Sequence, residues 1–193
     1  LTQLLEAYVS TNASPITDAL AESALELLGD SLITAVTEKP DDTLLRSKIS
    51  YASYISGVIL ANAGLGTVHG FASVIGGWFD IPHGIVCGTL LAGVTRESVN
   101  ALILQDSTCT AIKKYSNAAN LLVPLNPESG PEEGARRLIA ILEEWTSRLK
   151  IPSLGRYGIT DKDIDRIVRI TGQKNNPVKL TDKQLGVILK ERL

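Results

Sequence analysis

The chain has 193 residues, 44% of them hydrophobic but only 5% aromatic. That length suits one large or two small domains, and the dominance of Leu, Ile, Val and Ala favours aliphatic helices over an aromatic-rich β-sandwich. Lys and Arg number 19 against 21 Asp and Glu, a net charge of −2 that excludes an electrostatic footprint for nucleic acid or an anionic membrane.

The short basic pairs Lys113-Lys114 and Arg136-Arg137 read as solvated helix faces. Cys87 and Cys109 lie in apolar helical context without a CxxC, which argues against a disulfide framework or a thiolate zinc site and fits a reducing, cytoplasmic compartment. No signal peptide is visible, and no window offers the roughly 18 unbroken apolar residues of a membrane span. The chain opens inside a helical pattern and contains no methionine, which reads as the continuation of something longer.

Taken in order, Leu1, Leu4, Leu5, Tyr8 and Val9 recur at helical spacing until the polar run at 10–12. Ser14-Pro15 then supplies an N-cap and a proline at the first helical position, and the apolar stripe continues to about Val36 before Lys39-Pro40 ends it. Asp41-Asp42 opens a third helix that Gly64-Leu65-Gly66 interrupts. Pro82 starts another, reaching towards Gln105 and apolar on nearly every face near Ile85–Val94, so it should be buried.

Helices are expected over 108–122 and 131–150, and after the N-caps Thr160 and Thr181, the latter forming a T-x-x-Q capping box with Gln184. No alternating strand pattern appears, so the fold class is all-α, one helical domain over 1–193, with 124-PLNPESGP-131 a loop and not a boundary.

Chemistry concentrates in 67-TVHGFASVIGGWFDIPHG-84, which holds both histidines of the chain. The preceding 64-GLGTVHG-70 is a poor dinucleotide cradle, because His69 stands at the third glycine position and a helix precedes it where a strand is needed. Those glycines are expected to let backbones pack closely. Ser73 lacks a nucleophile frame.

His69 and His83 both fall near helix N-termini, which lower an imidazole's pKa and favour the neutral, metal-binding form. Their spacing suits two helix arms aiming side chains at one point, yet two ligands do not make a site, and two core histidines bonded to carbonyls fit the spacing as well. Phe71, Trp78 and Phe79 either floor a pocket or pack beside it.

The run HGFASVIGGWFDIPHG, with LTQLLEAYVS, SPITDALA, ANAGLGTVHG, 152-PSLGRYGITDKDID-165 and Asn176-Pro177 in order around it, resembles the iron-containing, metal-dependent alcohol dehydrogenase family, relatives of glycerol dehydrogenase and, more distantly, dehydroquinate synthase. The resemblance implies the C-terminal helical half of a two-domain enzyme. An N-terminal α/β domain, absent from this chain, would be its partner and bind NAD(P). A divalent metal, Fe2+ or Zn2+, would polarise a small alcohol or aldehyde during hydride transfer.

Of the family's aspartate and three histidines, two histidines align with His69 and His83, and the third with Gln3, a weaker neutral ligand; the aspartate would fall just upstream of Leu1. Another active-site histidine common in the family is replaced by Ser73, whose hydroxyl retains hydrogen-bonding capacity. The isolated chain is expected to be inactive, and a homo-oligomer is compatible with the reading. The alternative is a metal-free helical binding module derived from such an enzyme.

Overall fold

A computed structural model describes residues 1–124 and 130–193. The described residues form nine α-helices and no strand: α1 (Thr2–Tyr8), α2 (Pro15–Thr37), α3 (Thr43–Ala63), α4 (Thr67–Trp78), α5 (His83–Asp106), α6 (Thr110–Leu122), α7 (Pro131–Arg148), α8 (Asp161–Ile170) and α9 (Asp182–Lys190), with a 3-10 turn at Leu154–Tyr157. The all-α expectation holds, and most of 124-PLNPESGP-131 lies outside the described residues.

The helix ends obey local chemistry. Ser14 and Thr17 cap each other reciprocally at the start of α2, and Asp42 accepts from the Leu44 and Leu45 amides at the start of α3. Thr181 and Gln184 form the expected box at α9. At α8 the Asp163 carboxylate takes both the amide and the hydroxyl of Thr160.

Packing is organised around the shortest of these helices. A seven-residue helix is marginal on its own, yet in α1 Leu4 and Ala7 are fully buried and Leu5 and Tyr8 nearly so. Helices α2, α3 and α5 surround it. α5 is as buried as its sequence requires, with Val86 and Leu90 inaccessible to solvent. α6 and α7 pair against each other, and α8 with α9 closes the side next to α4 and α5.

The basic pairs correct one expectation. Only Lys113 and Arg136 lie on exposed faces. Lys114 is 2.7 Å from Asp18 and donates to the Tyr8 carbonyl, while Arg137 donates to Asn120 and to the Val123 carbonyl. Adjacent helical residues point about 100° apart, so a basic pair divides between solvent and the neighbouring helix.

Among the described residues no single helix is long and apolar enough to cross a membrane.

Candidate metal centre

The site begins with a buried charge. Glu6 is only 6% exposed, on the buried helix α1, and an ionised carboxylate tolerates such a position only when it is bonded. Its Oε1 accepts from the Val68 amide at 2.6 Å, and its Oε2 lies 2.5 Å from His69 Nδ1. α4 has no side-chain cap of its own because its N-cap is Gly66, so a carboxylate from α1 serves its positive end. A Cβ there would come within 2.8 Å of Asn176 Oδ1 and 3.1 Å of Glu6 Oε1 and would press on both of these side chains. Asn176 takes the Thr67 amide in turn.

With Nδ1 against Glu6, His69 turns Nε2 towards the start of α5. There His83 is the first helical residue, and the two imidazole rings stand 5.4 Å apart between centroids, tilted by 51°. One helical turn further on, the Cys87 sulfur lies 3.4 Å from His83 Nε2 and 3.7 Å from His69 Nε2. One ligand atom from each of His69, His83 and Cys87 falls within 4.8 Å of the others. Two imidazole nitrogens and a sulfur form a donor set that fits a divalent transition metal, with a carboxylate orienting one imidazole from behind.

The expectation of a lowered imidazole pKa is reversed at His69. Burial does oppose its protonation, but the bonds to Cys87 and Glu6 and their negative charge outweigh it and push the group up to about 9. The helix terminus matters less than these two contacts. A metal ion at this point would take the place of that proton.

Both histidines and Gln3 line one cavity of about 390 Å³, together with Cys87, Leu91, Leu142 and Trp145. Gln3 reaches the wall, but its Oε1 accepts a bond from Ser56 Oγ at 2.8 Å. Ser73 donates to the His69 carbonyl one turn back, so its hydroxyl is spent within α4. Phe71 is fully buried in the core, and Trp78 and Phe79 carry the Arg166 guanidinium at 4.8 and 5.5 Å. None of the three aromatics lines this cavity.

Sequence reasoning missed Glu6 and Cys87. The thiol had a readable signal, since His83 and Cys87 stand at i and i+4 on one helical face. Glu6 had none, because its partners are more than sixty residues away in the chain.

The whole chain, residues 1–193, matches the model of the C-terminal part of the Fe-containing alcohol dehydrogenase family. The chain belongs to that family. It is 31% identical over 196 residues, 99% of its length, to alcohol dehydrogenase 4 of Saccharomyces cerevisiae, covering 48% of that protein. It is 30% identical over 198 residues to the NAD-dependent methanol dehydrogenase of Bacillus methanolicus, covering 49% of it. A crystal structure of 1,3-propanediol oxidoreductase superposes on all of the chain with a TM-score of 0.86 at 28% identity, over 49% of that protein. This alcohol oxidoreductase family member thus spans about half the length of the relatives it matches.

Proposed function

We propose that this chain is the helical metal-binding domain of an NAD(P)-dependent alcohol dehydrogenase, and that its partner is an N-terminal nucleotide-binding domain of the same protein. The observation that carries the reading is the convergence of His69 and His83, from two different helices, on one wall of a cavity of about 390 Å³. The relatives' names support small alcohols and aldehydes as substrates: methanol for one, 1,3-propanediol for another.

His69 and His83 would hold a divalent metal, Fe2+ or Zn2+, with Gln3 on the adjacent wall. Bound there, the ion would polarise the alcohol or carbonyl oxygen for hydride transfer. The chain's own groups define the rest. Glu6 fixes the His69 ring so that Nε2 faces the cavity. Leu91, Leu142, Leu149, Ile151 and Trp145 present an apolar wall that excludes water around a short alkyl group and strengthens the electrostatics beside it.

Among the described residues no strand leads into a helix N-terminus; in this reading the partner domain binds the NAD(P).

The test is metal analysis and NAD(P)-linked alcohol oxidation of the full-length protein beside its His83→Ala variant. Stoichiometric metal and turnover, both lost in the variant, are expected. Absence of metal and turnover from both proteins would overturn the reading in favour of a metal-free helical binding module.

A further inference from the structure

We infer that Cys87 is itself a metal ligand, so that this chain presents a thiolate beside its two imidazoles and Gln3 stands back from the ion. The inference rests on the metal-dependent reading above and adds to it the identity of the third protein donor.

Geometry argues first. In a tetrahedral zinc site, with Zn–S of about 2.3 Å and Zn–N of about 2.0–2.1 Å, a sulfur and a nitrogen ligand stand roughly 3.6 Å apart. Cys87 Sγ is 3.4 Å from one imidazole Nε2 and 3.7 Å from the other. Both of these edges match. The positions are held by the fold: His83 and Cys87 share the first turns of α5, and the Thr2 hydroxyl lies 3.4 Å from the Cys87 carbonyl, tying α1 to that turn.

Hydrogen-bond accounting argues second. Glu6 occupies His69 Nδ1, so Nε2 is the ring nitrogen that faces the sulfur. One divalent cation satisfies all three groups at once, with loss of the thiol proton.

Charge argues third. Gln3 offers a neutral amide oxygen already engaged by Ser56, whereas a thiolate supplies a full negative charge. Sulfur also selects for zinc over harder ions. Cys87 is 6% exposed and Cys109 lies elsewhere, at the N-cap of α6. The two thiols have different surroundings and need no common role.

The test uses full-length protein stripped with a chelator and reloaded with Co2+, a spectroscopic stand-in for zinc. A thiolate-to-cobalt charge-transfer band in the near ultraviolet is expected, absent from Cys87→Ser and retained in Gln3→Ala. Zn2+ affinity, measured by competition with a chromophoric chelator, should fall at least about tenfold in Cys87→Ser. Peptide mapping after alkylation gives a reading that needs no variant: Zn2+ should protect Cys87 in the wild-type protein and leave Cys109 unaffected.

Stoichiometric Co2+ without the charge-transfer band, or Cys87 equally alkylated with and without Zn2+, would overturn the thiolate ligand while leaving the metal-dependent enzyme standing. Failure of the wild-type protein to bind Co2+ or Zn2+ at all would overturn both.

Discussion

Gly70 sits inside α4 one residue after His69, and intrinsic propensity would prefer alanine there by about 1 kcal/mol. The structure forbids that gain. A Cβ on Gly70 would lie 1.9 Å from the backbone carbonyl oxygen of Gly172 and 2.9 Å from its carbon. To reach even a tight contact, α4 and the segment after α8 must separate by about 1 Å, a backbone shift of the kind that costs typically 1–3 kcal/mol in a packed interior.

Gly57, in the middle of α3, is the matched control, because nothing lies within 4 Å of its added Cβ. Gly70→Ala should therefore destabilise by up to about 2 kcal/mol, net of propensity, and Gly57→Ala should stabilise by about 0.5–1 kcal/mol. Chemical denaturation of the full-length protein, followed by far-ultraviolet circular dichroism, reads both. The shift at Gly70 also displaces the adjacent His69, so metal affinity should fall in that variant alone. Equal stabilisation by the two alanines would refute the claim that α4 is pressed against Gly172.

The two remaining predictions concern buried and capping carboxylates. Glu6→Gln retains an oxygen for the Val68 amide but withdraws the charge from His69 Nδ1, and metal affinity should drop about 10–100-fold; an unchanged affinity in chelator competition would mean that packing alone holds the ring. Asp163 is held below the ordinary carboxylate range, first by the Thr160 amide and hydroxyl and then by Arg166. A depressed native pKa means that the unfolded chain takes up the proton first. The contribution of Asp163 is therefore complete above the unfolded value of about 4 and is lost as pH falls through the native one. Thermal midpoints of the wild type and Asp163→Asn should differ at neutral pH and converge in acid; parallel curves would refute the assignment.

Much of the helical order was legible because helix ends are local. Ser14, Asp42 and Thr181 each meet their capping partners within three residues, so sequence spacing suffices to place them. Of the glycines expected to let backbones pack closely, only Gly70 meets a backbone, that of Gly172; a Cβ on Gly64, which has a positive φ, or on Gly66 would meet the side chains of Asn175, Asn176 and Glu6.

The histidines could be read as candidate ligands by residue type and resemblance, while the lateral partners of a helix face stayed hidden. Lys114 looked solvated and pairs with Asp18, and nothing in the sequence signalled that Trp78 and Phe79 carry Arg166.

By itself, then, the sequence determined the all-α class and the positions where most helices start and stop, because these depend on side chains acting within a turn of their own backbone. Only the tertiary structure decided that a buried carboxylate from α1 caps α4 and orients His69, and that the Cys87 sulfur lies beside both imidazoles. Those outcomes are set by how helices distant in the chain pack against one another. A difference of one residue in register would turn the same side chains away from the site.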